Sequence, residues 1–123
     1  MVGDPASVPA INSLLDELHI VDAVAGRPTP VTVWLEYQHD ADTWLELRTR
    51  AAGVVNWIPR KRDGAALVED VSEALNTSTV AAGEDYFWVA CVASSARSIV
   101  RHLRKVLGVD KQRIKSLGYR RLA

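Results

Sequence analysis

Residues 86 to 93, YFWVACVA, are apolar without interruption, and the residues that follow, SSARSIVRHLRK, pass directly into a helical pattern. Eight residues are far short of the roughly 20 that a membrane-spanning helix needs. A strand with one wet face would alternate apolar and polar side chains, and this one does not. It fits a strand buried on both faces, as in a parallel sheet, where helical crossovers cover the two sides. In the helix that follows, Ala96, Ile99, Val100, Leu103 and Leu107 repeat at helical spacing and face a core, while Arg97, Arg101, Arg104 and Lys105 do not. Gly108 supplies a left-handed stop.

The rest of the chain alternates in the same way. Residues 5 to 18, PASVPAINSLLDEL, carry prolines only near the front and place Val8, Ile11, Leu14, Leu15 and Leu18 on one face. They predict a helix starting near Pro5 with Asp4 as its cap. After the breaker segment AGRPTP, VTVWLEY over 31–37 reads as a strand, QHDAD as a polar turn, and TWLELR as a short second strand or an edge. VVNWIP over 54–59 is a strand ended by Pro59, RKRDG a loop, and AALVEDVSEAL a helix with Leu67, Val68, Val71 and Leu75 on one face. NTSTVAAGED is a polar connection, and RIKSLGYR a last short strand. Alternation of this kind predicts an α/β fold, a mostly parallel sheet with helices on both faces.

A chain of 123 residues, 48% hydrophobic and 24% charged, suits one domain over 1–123. The start MVGDPASVP lacks the basic and apolar regions of a signal peptide, and no apolar run is long enough to span a membrane, so a soluble, cytoplasmic protein is expected. One cysteine excludes an internal disulfide and a multi-cysteine zinc site, and His19, His39 and His102 fall in no metal-ligand spacing. Formal net charge is zero, yet residues 97 to 123 hold nine of the fifteen basic residues against one acid, Asp110. Such an end steers anions. It lacks the aromatic interleaving of a nucleic-acid binder, and none is expected as a partner.

In parallel sheets, ligands bind beyond the carboxyl ends of the strands. The turn Cys91 to Ser95 is one such place, with small residues that allow close approach and Ser94 or Ser95 available to cap the helix.

Four stretches, GDPASVPAINSLLDEL, NWIPRKRDGAALVEDV, GEDYFWVACVASSARSIVRHLRK and the terminal GYRR, resemble in order and spacing the landmarks of siderophore-interacting proteins. These are flavin-dependent ferric-siderophore reductases related to ferredoxin reductases. The similarity covers nearly the whole chain and is to the carboxy-terminal nicotinamide-nucleotide domain. The flavin-binding β-barrel that precedes it in the family has no counterpart in these residues. The resemblance implies a ferredoxin-reductase-like nucleotide-binding domain whose central first strand is truncated to Met1-Val2, a start that is natural or a boundary of the chain as given.

The family's Gly-Asp-Glu-Thr landmark retains Gly3 and Asp4, with Pro5-Ala6 in place of Glu-Thr and Ser7 next door. Glu36 matches the acidic position after the second strand, which accepts from adenosine ribose hydroxyls. Arg60, helped by Lys61 and Arg62, matches the loop that meets the 2′-phosphate of NADPH. Trp88, Val89, Ala90, Ala93, Ser94 and Arg97 match the family's Trp-Val-Ala-Gly-Glu-Ala-Ser segment and the Arg-containing helix that follows, whereas its Gly-Glu has become Cys91-Val92. In the closing Gly-Tyr-Trp-Arg landmark, Arg120 stands for Trp. The resemblance thus implies cofactor contacts at Gly3, Asp4, Ser7, Glu36, Arg60, Lys61, Ser94 and Ser95, and an anionic ferric siderophore at Arg97, Arg101, Lys115, Arg120 and Arg121.

The departures fall where cofactor or flavin would touch, and the core positions survive. Two function classes follow. One is the NADPH-binding half of a ferric-siderophore reductase in iron acquisition, with FAD supplied by a separate domain or partner, because no residue here carries two electrons between nicotinamide and iron. The other is a non-catalytic interaction or ligand-binding homologue, expected as a homodimer that uses the sheet position left by the short first strand.

Overall fold

A computed structural model describes residues 1–26, 30–49, 53–76 and 86–119. Five strands, β1 (Val2–Gly3), β2 (Val31–Tyr37), β3 (Gly53–Pro59), β4 (Phe87–Val92) and β5 (Ile114–Tyr119), form one sheet in the order β3-β2-β1-β4-β5. Every pairing in it is parallel. The α/β expectation therefore holds, and the YFWVACVA run supplies the fourth strand over Phe87–Val92, its last residue, Ala93, opening the next helix. Its alternate residues divide between the two faces, which is why it shows no alternation.

Helices α2 (Ala65–Asn76) and α3 (Ala93–Arg101) cover one face. Leu67, Val71 and Leu75 of α2 interlock there with Ile58, Val89, Cys91, Ile99 and Leu103. Helix α1 (Val8–Ala25) covers the other, packing Val8, Ile11 and Leu15 on Val33 and Leu35. Burying one such aliphatic side chain contributes about 1.5–3 kcal/mol, and these two clusters fix the sheet between its helices.

β1 is short, yet it occupies the centre. Val2 lies in register with Trp34 on one side and Val89 on the other, and Gly3 with Leu35 and Ala90. A Cβ on Gly3 would collide with the Ser7 hydroxyl and stand 3.0 Å from Ile11 Cδ1, so the close approach of β1 to α1 requires glycine.

Several sequence expectations are corrected. The first helix begins after a 3₁₀ turn at Pro5–Ser7 and runs to Ala25, well past Leu18, until Gly26 stops it at φ 73° with its N–H on the Asp22 carbonyl. Its second half was not legible because Ile20, Val21 and Val24 face solvent. TWLELR forms no strand. Asp40–Trp44 is a 3₁₀ turn, and the chain beyond it is held to α1 by the Arg48–Asp16 ion pair and by Asn12, which donates from Nδ2 to the Glu46 carbonyl (2.9 Å) and accepts at Oδ1 from the Arg48 N–H (2.8 Å). The amide imitates a strand edge.

The serine cap is also displaced. β4 passes into α3 without a loop residue between Val92 and Ala93, so Ser94 and Ser95 lie inside the first turn instead of before it. At its other end, α3 widens into a π-turn over His102–Val106, with the Leu107 N–H on the His102 carbonyl (3.2 Å). Gly108, at φ 67°, then lets Val109 N–H close on the Leu103 carbonyl at 2.9 Å. The expected left-handed stop is present. The connection over 77–85 lies outside the described residues.

Candidate functional site

The strand order reverses direction between β1 and β4, where chain connections lead away to opposite sides. That is the position at which open parallel sheets hold ligands, outside the carboxyl ends of their strands. Four segments meet there: Asp4–Ser7 after β1, Glu36 near the end of β2, Arg60–Gly64 after β3, and Cys91–Ser95 where β4 enters α3.

Each is set locally. The turn after β1 is closed upon itself: Asp4 N–H donates to Ser7 Oγ, and that hydroxyl donates to the Asp4 carbonyl, both at 2.9 Å. Ser7 is buried, and its hydroxyl is engaged in holding the turn. Glu36 is carried by β2 on the face that α2 and α3 cover, and is 3% exposed. The ladder between β2 and β3 continues one step beyond Pro59, where the Arg60 N–H reaches the Tyr37 carbonyl at 2.7 Å. This brings the Arg60 side chain back across β2, and its Nη1 donates to Glu36 Oε1 at 2.7 Å. The second oxygen of Glu36, Oε2, is buried without a hydrogen-bond partner.

Gly64 explains how these groups fit. Its φ is 98°, a left-handed conformation, and a Cβ there would stand 2.5 Å from Ser95 Oγ, 3.5 Å from Glu36 Oε2 and 3.8 Å from Arg60 Nη1. Glycine therefore brings the loop after β3 against the first turn of α3, directly over the ion pair. An open groove of about 310 Å³ runs between the starts of α2 and α3, lined by Gly64, Ala65, Ser94, Ser95 and Ser98 together with Arg62 and Glu69. Ser98 donates to the Ser94 carbonyl within it.

The electrostatics are those of a dry carboxylate-rich junction. Burial pushes the Cys91 thiol up to about 12, with the carboxylates of Asp4 and Glu36 adding to the shift. The thiol is 2% exposed and stays protonated at neutral pH, which removes it as a nucleophile. Arg62, outside this junction, is held by Glu69 through two N–H donations of 3.0 and 2.7 Å.

The structure thus unites Gly3, Asp4, Ser7, Glu36, Arg60, Ser94 and Ser95 at one end of the sheet, with Lys61 exposed on the same loop. It does not unite the residues expected to meet a siderophore. Arg97 and Arg101 are exposed on α3, one helical turn apart, whereas Lys115 is in register with Trp88, whose side chain packs on the α1 face. Paired residues share a face, so Lys115 lies on the opposite side of the sheet from α3. Arg120 and Arg121 lie outside the described residues. Sequence reasoning missed Gly64 and the Glu36–Arg60 pairing; the Asp63-Gly64 dipeptide before a helix was the available signal for the first. Among the described residues, no cluster of three or more His, Cys, Asp or Glu could hold a metal ion, and no helix is long and apolar enough to cross a membrane.

The family model for siderophore-interacting proteins matches residues 1–122. The chain belongs to the siderophore-interacting protein family. Membership ties it to siderophore-related iron acquisition. A curated relative, the mycobactin import ATP-binding/permease protein IrtA of Mycobacterium tuberculosis H37Rv, is 26% identical over 119 residues, covering 97% of this chain. The chain spans 12% of that relative's length.

Proposed function

We propose that this chain is the nicotinamide-dinucleotide-binding half of a ferric-siderophore reductase, acting with a flavin-bearing domain or partner. NADPH is the nucleotide that the family resemblance implies. The observation that carries the reading is the convergence of four strand-end segments on the switch point of a parallel sheet, around a buried carboxylate with one oxygen lacking a donor. A ribose hydroxyl is a donor of the kind that oxygen lacks, and the N–H groups at the start of α3 suit a phosphate. Glu36, Gly64, Ser94 and Ser95 would hold the nucleotide; Gly3 and Asp4 would border it.

When bound, the nicotinamide supplies a hydride, which a flavin must relay to iron. The chain's own part is to bind and orient. Cys91 takes no part in electron transfer, being buried and protonated. The exposed Arg97 and Arg101 would attract an anionic ferric siderophore toward the α3 side.

A second reading, a non-catalytic ligand-binding homologue, is favoured by one feature: Cys91 fills with a buried thiol the position where the family's glycine leaves room. Calorimetric titration with NADPH and with NADH tests the first reading, which expects saturable binding. Absence of heat from both at millimolar nucleotide sinks it. Binding without ferric-siderophore reduction, after addition of a flavin reductase domain, selects the second.

A further inference from the structure

Helices α2 and α3 follow parallel strands onto the same face of the sheet, so they run side by side in one direction. Their outward sides carry opposite charge. Along α3 and the π-turn, Arg97, Arg101, Arg104 and Lys105 are exposed at i, i+4, i+7 and i+8, which makes one stripe about 12 Å long. No acid occurs between Ala93 and Val109, and among the described residues none of these four cations is in an ion pair. Helix α2 is the reverse. It has no lysine, arginine or histidine, and Glu69, Asp70 and Glu73 are exposed on it. Glu69 is held by Arg62, whereas Asp70 and Glu73 are in no ion pair among the described residues. His102 Nε2 and Asn76 Oδ1 lie 2.9 Å apart where the helices meet, yet the two ridges stay separate, with the groove lined by Val68, Ser94 and Ser98 between them.

We propose that this face is the interface of a homodimer, in which a two-fold axis parallel to the helices sets the acidic ridge of α2 in one copy on the basic ridge of α3 in the other. The charge pattern selects that axis. Rotation about it exchanges the ridges, so both contacts join opposite charges, whereas rotation about an axis across the helices sets like on like. Formal net charge is zero, so two copies meet without overall repulsion. Each contact joins exposed groups and is weak by itself, which makes the dimer weak and sensitive to salt. The interface needs no open position in the sheet, whose centre β1 already fills. It covers Arg97 and Arg101, so an anionic siderophore drawn to them competes with the second copy.

The test is sedimentation velocity of the whole chain over a range of concentrations, at about 0.01 M and about 1 M salt, between which the screening length falls from about 30 Å to about 3 Å. Wild type is expected to pass from monomer to dimer as concentration rises, with a dissociation constant at least about tenfold higher in the stronger salt. Arg97→Glu with Arg101→Glu, and separately Asp70→Lys with Glu73→Lys, leave the circular dichroism unchanged and abolish the dimer. All four replacements in one chain exchange the ridges and restore it, at the net charge of wild type. As a control, Arg97→Glu and Arg101→Glu are combined with Glu17→Lys and Asp40→Lys, which return the net charge to zero away from α2 and α3; this chain stays monomeric. A wild type that is monomeric throughout overturns the proposal and leaves the ridges to a different partner or to water. A dimer that survives either reversal, a fourfold exchange that remains monomeric, or a control that dimerises overturns it as well.

Discussion

Two ion pairs in this molecule have the same 2.7 Å separation and opposite surroundings. Arg60–Glu36 lies beneath the loop after β3, with side chains 14% and 4% exposed, whereas Arg48–Asp16 joins α1 to the chain beyond β2 with both side chains half exposed. Arg48 grips both oxygens of Asp16, lowering its pKa, largely through the side-chain hydrogen bond. By geometry alone the surface pair is the better made. Water nevertheless screens it, and the flexible side chains lose entropy in forming it. The inner pair has no such screening, so removing one partner strands a charge in a dry place. Separation does not rank the two pairs; their surroundings do. The inner pair defines the site, and the outer one trims a surface.

The strongest way to break this contrast is Arg60→Ala. It is expected to lower stability by about 3–5 kcal/mol, the cost of leaving a buried carboxylate without its partner. Urea denaturation followed by circular dichroism measures it. The combined replacement Glu36→Leu with Arg60→Met removes both charges, and should recover most of that loss in the same measurement. A double variant as unstable as the single one would show that the pair's own attraction, and not the stranded charge, dominates.

Cys91 reports on the same dry region from a different element. Its thiol is pushed up to about 12 by burial and then by the carboxylates of Asp4 and Glu36. The folded state holds this proton more tightly than the unfolded state, so the unfolded chain binds fewer protons above about pH 9. Stability from this group is complete below that pH and falls by up to about 1.4 kcal/mol per unit as pH rises toward 12. Comparing denaturation midpoints between pH 8 and 10.5 for wild type and Cys91→Ala isolates the contribution. Equal slopes in the two proteins would remove it.

The smallest expected effect belongs to the surface. Asp16→Asn should leave the denaturation midpoint within measurement error at physiological salt, and any difference should fade further as salt is raised. A salt-independent loss of stability would mean that this pair holds the Asn12 clamp in place.

Much of the fold was legible because burial imposes periodicity. VTVWLEY and YFWVACVA carried their strands in β-branched and aromatic residues, and Leu67, Val71 and Leu75 marked the buried line of α2. What escaped depended on contacts between distant residues. Nothing near TWLELR announces that Asn12, 34 residues before Glu46, will satisfy its backbone in place of a neighbouring strand. The candidate site divides similarly. Glu36 and Arg60 each stood out as a separate ligand contact, 24 positions apart. That they meet one another follows from the parallel register of β2 and β3, which no local pattern encodes.

The π-turn at His102–Val106 has a consequence for how chain length can vary. It carries one residue more per turn than the α-helix that precedes it, and the surplus is absorbed before Gly108 and Val109 return the chain to the core. A single deletion there converts a wide turn into an ordinary one and leaves Ile99 and Leu103 in phase, whereas the same deletion earlier in α3 would rotate every later side chain by about 100°. Homologues of unequal length are therefore expected to gain or lose their residue at 102–106, leaving the serine-bearing first turn in place.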